Sequence, residues 1–270
     1  MNLFDIQNKV AVITGGSGAI GGCIAEGLAQ AGCKLVILNR SEASITEKVK
    51  TLQAQGAEVL GIPCDVLQAD SLRAARETIL AQFGQIDFLI NAAGGNVKGA
   101  TQQPDQAVFE LELPDIDQAI ALNLHGALYP SLVFGEAMAR RGSGSIINVS
   151  SMAAYGTISR VLGYSLAKTG INTLTTWLAT ELARKYGDQL RVNAIAPGFF
   201  IGEQNRALLT NPDGTFTDRG NTIIRQTPMG RFGEVNELVG AVQFLCSPAA
   251  SFITGVVLPI DGGFSVDSGV

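Results

Sequence analysis

Thr14-Gly15-Gly16-Ser17-Gly18-Ala19-Ile20-Gly21-Gly22 holds five glycines in nine residues and can be read in two registers. Gly16, Gly18 and Gly21 spell G-x-G-x-x-G, a general dinucleotide fingerprint. Thr14, Gly15, Ala19 and Gly21 spell a different phosphate loop, T-G-x-x-x-[GA]-x-G. Lys9–Ile13, a short β-branched run, precedes the loop, and Ile20, Ile24 and Leu28 follow at helical spacing until Gly32. A strand, a glycine loop and a helix in that order turn backbone N–H groups and a helix N-terminus towards a pyrophosphate. Taken alone, the loop also reads as an ordinary glycine-rich turn of an α/β protein.

The same alternation runs outward along the chain. Strands are expected at Lys34–Leu38, Val59–Ile62, Ile86–Asn91, Ser145–Val149, Leu190–Ile195 and Val256–Pro259. Helices are expected from Ser41 as cap to Gln55, at Ser71–Phe83, Pro114–Arg140, Gly163–Tyr186 and Glu234–Leu245. Unbroken alternation predicts one α/β, doubly wound parallel sheet with helices on both faces. No linker, repeat or low-complexity stretch interrupts it, so residues 1–270 are expected to form a single domain. The stretch from Phe199 to Thr227 has too little periodicity for core and reads as a substrate-binding lid at about 199–228. In such sheets ligands bind beyond the carboxyl ends of the strands, where every short motif of this chain falls.

Composition narrows the partners. The 270 residues carry a formal charge of −5 without blocks of like charge, which argues against nucleic acid and anionic membranes. Apolar runs such as Leu35-Val36-Ile37-Leu38 are too short to span a bilayer. Asn2, Asp5 and Gln7 break up the opening residues, so no secretory leader is expected there. Four cysteines without a C-x-x-C pair fit a reducing cytoplasm better than a disulfide framework, and with one histidine no metal site is expected.

Two clusters carry chemistry. At the end of the second strand, Asn39 stands where a dinucleotide fold usually has an acid, and Arg40 follows. An asparagine does not repel a 2′-phosphate and Arg40 could pair with one, which leans towards NADP(H); a solvated loop arginine is the competing reading. Asp65 could accept from an adenine amino group or simply start a helix. Tyr164 and Lys168 lie four apart, hence one turn apart on one helix face. An ammonium beside a phenol favours the phenolate and would lower its pKa. Ser151, thirteen residues before Tyr164, could hold a substrate oxygen. A lone Y-x-x-x-K otherwise reads as a core tyrosine with a surface lysine.

The set Thr14 to Gly21, Asp65-Val66, Asn91-Ala92-Ala93-Gly94, Asn123, Ser151, Tyr164-Ser165-Leu166-Ala167-Lys168 and Pro197-Gly198 resembles the short-chain dehydrogenase/reductase family over nearly the whole chain. The resemblance implies a Rossmann-like domain with seven parallel strands, and NAD(H) or NADP(H) as cofactor. It implies Tyr164 as acid/base, Lys168 on the nicotinamide ribose and lowering the Tyr164 pKa, Ser151 polarising a carbonyl, and Asn123 holding a water in a relay to Lys168. Cofactor contacts are implied at Gly15, Ser17, Gly18, Ile20, Gly21, Asn39, Arg40, Asp65, Val66, Asn91, Ala92, Ala93, Gly94, Tyr164, Lys168, Pro197, Gly198 and Phe200. The chain departs from the family where Ala92 replaces asparagine and Ala19 glycine. Gly202 stands where a threonine often meets the nicotinamide amide, so backbone near Phe200 is expected to take over. The register that fits is thus the one through Thr14, Gly15, Ala19 and Gly21.

For the substrate, the stretch carries Glu203, Gln204, Asn205, Arg206, Asp213, Asp218, Arg219 and Arg225, with Lys98 and Arg160 adding polar reach. A polar pocket with cations suits a hydroxylated carboxylate better than a steroid or long acyl chain, although ordinary solvation accounts for most of these charges. Gly94-Gly95-Asn96, the run from Pro197 to Arg206, Thr227–Gly233 and the C-terminal residues Asp261–Ser265 and Ser268–Val270 resemble the family's D-mannonate oxidoreductase (fructuronate reductase) branch. That branch implies D-fructuronate and D-mannonate, with the carboxylate expected near Asn96, Lys98, Gln204, Asn205 or Arg206. Gluconate 5-dehydrogenases and 3-oxoacyl-carrier-protein reductases share the catalytic set, and a cofactor-binding regulator without turnover is the reading from another class. Family members commonly form homotetramers, or homodimers, and the same is expected here.

Overall fold

The computed structural model describes residues 2–202 and 206–267. Seven strands form one sheet in the order β3-β2-β1-β4-β5-β6-β7. They are β1 (Val10–Thr14), β2 (Lys34–Asn39), β3 (Val59–Pro63), β4 (Phe88–Asn91), β5 (Gly144–Val149), β6 (Leu190–Pro197) and β7 (Val257–Ile260). Every pairing is parallel. The connecting helices are α1 (Ala19–Gln30), α2 (Glu42–Ala54), α3 (Ala69–Phe83), α4 (Leu113–Ile120), α5 (Gly126–Arg141), α6 (Leu162–Tyr186), α7 (Arg206–Leu209), α8 (Asp218–Arg225) and α9 (Glu237–Cys246).

The period of two along the strands splits the core into two layers. Ala11, Ile13, Leu35 and Ile37 pack with Ile24 and Leu28 of α1 and Leu238 and Val242 of α9. Their neighbours Val10, Val12, Val36 and Leu38 face the other way, against Leu72 and Ile79 of α3, Phe134 and Met138 of α5 and Leu178 of α6. Both faces are therefore apolar, which is why these strands read as continuous runs. Ser41 caps α2 as expected, its Oγ accepting from Ser44 N.

Two expectations are corrected. The helix expected over Pro114–Arg140 is interrupted by a π-helical turn at Ala121–His125. Asn123 Nδ2 donates to Ala119 O at 2.9 Å, taking the carbonyl its own backbone N–H would use in an α-helix. The stretch from Phe199 to Thr227 is not structureless. It contains α7 and α8, and Leu209, Ile223 and Phe232 are buried in a small cluster with Phe199, Ile201 and Ile224. Eight-residue α8 offers only Ile223 and Ile224 as apolar residues, too few for a periodicity signal.

Strand order reverses between β1 and β4, and the two strand ends are joined there by one side chain. Thr14 Oγ1, fully buried, accepts from Ala92 N and Ala93 N, each at 3.1 Å. Thr14→Val keeps the volume and removes both bonds, so the unfolding free energy should fall by about 1–3 kcal/mol. Thr14→Ser should stay near wild type, and equal urea midpoints for Val and Ser variants would refute the role.

Candidate active site

A cleft of about 1150 Å³ opens along the carboxyl ends of the central strands. It exceeds the roughly 300–1,000 Å³ of an ordinary small-molecule pocket. Gly15, Ser17, Gly18, Ile20, Gly21, Asn39, Arg40, Val66, Ala92, Ala93, Gly94, Ser151, Tyr164, Lys168, Pro197, Gly198 and Phe200 all line it.

The glycine loop is built for close approach. Gly15 has φ +63°, and a Cβ there would stand 2.9 Å from Ala92 O and Ala93 N. A Cβ on Gly21 would run into the Gly15 carbonyl, so α1 can pack on β1 only through glycine. Gly18, the N-cap of α1, provides no side-chain cap, leaving the helix's first amides to whatever anion the cleft receives. The donor set therefore fits a dinucleotide pyrophosphate.

Beyond the loop, Asn39 Nδ2 donates to Ser17 Oγ, and Ser17 Oγ donates to Ser44 Oγ at 3.1 Å. Arg40 N donates to Asn39 Oδ1 at 2.7 Å. Lys48, from α2, reaches Glu26 of α1, so the acid lining this end is already paired. Ser44, in the first turn of α2, and Lys48 and Glu26, mid-helix, escaped the sequence reading because they lie outside any loop motif.

Two expected contacts are not on the cleft wall. The wall near the third strand is Cys64 and Val66, while Asp65 Oδ1 accepts from Leu67 N at 3.0 Å. Asn91 is buried behind the wall, and its Nδ2 donates to Ser131 Oγ and Asn148 Oδ1, both at 2.8 Å. Asn148 Nδ2 continues the chain to Thr175 Oγ1 at 2.9 Å. This buried polar line stitches α5, β4, β5 and α6 together beneath the site.

Ser151, Tyr164 and Lys168 converge. Ser151 caps the turn after β5, its Oγ accepting from Ala153 N at 3.1 Å. Gly163 and Tyr164 open α6, with Lys168 one turn on. Lys168 Nζ lies 5.3 Å from the centre of the Tyr164 ring and donates to Val149 O at 2.8 Å. Burial pushes the Lys168 ammonium down to about 8. The Tyr164 hydroxyl, by contrast, is pushed above its ordinary value by burial, while a hydrogen bond with Ser151 pulls it down. This corrects the expectation of a Lys168-lowered Tyr164: in this arrangement burial, not a neighbouring charge, sets the direction of the shift.

Asn123 is buried behind Gly94 and Gly95. Its Nδ2 donates to Gly95 O and Ala119 O, and its Oδ1 accepts from Gly95 N at 2.9 Å. With both amide donors taken, a water held for Lys168 would meet its Oδ1 or main chain. On the substrate side Asn96, Arg160, Arg206 and Arg219 line the cleft, whereas exposed Lys98 does not. Gln204 and Asn205 lie outside the described residues.

A family model described as enoyl-(acyl carrier protein) reductase matches residues 16–265. An uncharacterised oxidoreductase of Bacillus subtilis, UxuB, is 42% identical over 275 residues, covering 98% of each chain. The structure of a candidate D-mannonate oxidoreductase from Haemophilus influenza, with bound NAD, superposes with TM-score 0.90 at 38% identity, covering 98% of each chain. A gluconate 5-dehydrogenase from Burkholderia cenocepacia, in complex with NADP and tartrate, gives TM-score 0.88 at 31% identity, again covering 98% of each. The chain belongs to the short-chain dehydrogenase/reductase family, oxidoreductases that act on alcohol groups.

Lys168 generates a pH prediction. Its folded-state value lies near 8 against an ordinary 10.5, so between the two the unfolded chain binds a proton that the folded chain has lost. Stability from this group therefore rises with pH across that window, by on the order of 3 kcal/mol. Urea unfolding at about pH 7 and about pH 10.5 should show wild type gaining by that amount over Lys168→Met. Parallel pH dependences would mean that Lys168 is not the titrating group.

Proposed function

We propose that this family member transfers hydride between NAD(P)(H) and a sugar acid, interconverting D-fructuronate and D-mannonate. The observation that carries the reaction type is the convergence of Ser151, Tyr164 and Lys168 on one cleft, with Lys168 Nζ 5.3 Å from the centre of the Tyr164 ring. The nicotinamide supplies hydride chemistry when bound. Tyr164 Oη gives its proton to the substrate oxygen in reduction and takes it back in oxidation. Ser151 Oγ holds that oxygen beside it. Lys168, fixed by Val149 O, brings a positive charge to the Tyr164 ring and would hold the nicotinamide ribose. Asn123 pins Gly95, and with it the loop bordering the nicotinamide end.

The sugar-acid reading is supported by Arg160, Arg206 and Arg219 on the wall of the cleft that holds Tyr164 and by the D-mannonate and gluconate relatives. The gluconate relative makes a 5-ketogluconate reductase the second reading. For the cofactor we favour NADP(H), because Asn39 and Arg40 border the cleft and its nearby acid, Glu26, is paired with Lys48. Residues 199–228 act as the lid of a single domain. The protein works in the cytoplasm as a homotetramer, using exposed Leu132 of α5 and Leu166 and Trp177 of α6 at its interfaces.

Tyr164→Phe should lower NAD(P)H oxidation with substrate by about 10²–10⁴-fold and leave cofactor binding intact. Unchanged activity would remove Tyr164 from the mechanism; a wild type that binds cofactor but reduces no ketone would favour the regulator reading. A panel of NADH and NADPH, each with D-fructuronate, 5-ketogluconate and an acetoacetyl thioester, should give its highest rate with NADPH and fructuronate. A strong thioester rate beside a silent fructuronate would overturn the substrate assignment.

A further inference from the structure

Arg160 adopts φ +76°, a left-handed conformation in which an arginine Cβ is crowded by its own backbone. Such a residue persists only where its surroundings impose it. Here Gln102 does so from both sides: Gln102 N donates to Arg160 O at 2.9 Å, and Arg160 Nε donates to Gln102 O at 2.6 Å. The Nε bond fixes the plane of the guanidinium. It leaves the NH1–NH2 edge without a hydrogen-bond acceptor among the described residues, on the wall of the cleft that holds Ser151 and Tyr164.

Arg219 comes from a separate element, α8. Its NH1 donates to Ser159 Oγ at 3.2 Å, next to Arg160 in the chain, and it lines the same cleft. Neither arginine forms an ion pair among the described residues, whereas Arg73, Arg76, Arg140, Arg141 and Arg231 each do. Burial and the charge of Arg160 both hold the Arg219 guanidinium below its ordinary value. Two cations in one half-buried wall, without an acid between them, repel and are poorly solvated; an anion that bridges them relieves both costs.

We infer that Arg160 and Arg219 form a clamp for the substrate's carboxylate, the fixed Arg160 edge setting its position and Arg219 linking it to α8. The inference rests on the sugar-acid reading and deepens it: the cleft selects the anionic end of the substrate, and discrimination against the neutral sugar lies in these two side chains. It also moves the carboxylate away from Lys98, which stands outside the wall.

The test compares D-fructuronate with D-fructose, in which a hydroxymethyl group replaces the carboxylate, using the full-length chain with NADPH or NADH. Inhibition by D-mannonate against D-mannitol gives the same comparison wherever fructose turnover is slow. Arg160→Asn removes the guanidinium with a residue that tolerates positive φ, so the fold should survive. Arg160→Asn and Arg219→Gln should each lower kcat/KM for fructuronate by about 10- to 100-fold, mainly through KM. Fructose turnover, reduced-cofactor binding and the urea midpoint should stay near wild type, and Arg219→Lys should recover part of the loss. Equal losses on both sugars, or no loss on fructuronate, would overturn the clamp while leaving the sugar-acid reading intact. A wild type that neither turns over nor binds any hexonate would overturn the sugar-acid reading, and the clamp with it.

Discussion

The site depends on a reversal in strand order that the backbone alone could not keep open. Between β1 and β4 the chain stops building in one direction and starts in the other, leaving a crevice above two adjacent strand ends. The ends must stay close enough for one ligand to touch both, yet the loops leaving them must diverge. Thr14 Oγ1 meets both demands by accepting the first two amides beyond β4. Gly15, in its left-handed turn, then carries the chain away within van der Waals contact of Ala92 and Ala93. A larger residue at Gly15 would push the two loops apart and widen the crevice at its narrowest point.

Beneath the crevice the protein holds polar groups in an otherwise apolar sheet. Ser131, Asn91, Asn148 and Thr175 form a hydrogen-bonded line through the helix layer containing α5 and α6. Buried amides are costly unless bonded, so the line makes one relative placement of β4, β5, α5 and α6 much better than its neighbours. That placement brings Ser151, at the end of β5, against Tyr164 on α6. Lys168 is secured to Val149 O from the same strand. These side chains are thus positioned by the sheet's own polar interior, and the desolvation that shifts both Tyr164 and Lys168 towards their neutral forms follows from the same burial.

What the sequence made legible follows the range over which each feature is encoded. The strands, the Ser41 cap and the grouping of Ser151, Tyr164 and Lys168 rest on local periodicity or on spacing within one helix and its preceding strand. The π-helical turn at Asn123 does not, because it depends on a side chain capturing the Ala119 carbonyl, and no hydrophobic pattern records that. Asp65 and Asn91 sit where a cofactor contact was expected, yet one carboxylate oxygen stays on a local turn and the other side chain faces the core. Position after a strand brings a residue to the crevice; the rotamer that its neighbours impose decides whether it looks in. The pairing of Arg160 and Arg219 has no local signature in the sequence, since the two are fifty-nine residues apart and meet through Ser159.

The two ends of the cleft differ in how firmly they are built, and the difference suits their tasks. The dinucleotide end is made of strand termini and the start of α1, fixed by the main core on both faces of the sheet. The substrate end hangs on α7 and α8, whose own core is three buried side chains, Leu209, Ile223 and Phe232. So small a cluster stabilises its segment less than the main layers stabilise theirs, and α8 is held less firmly than the strand ends. A rigid Arg160 on the main body beside a weakly held Arg219 on α8 means that an anion binding both adds its contacts to the stability of α8.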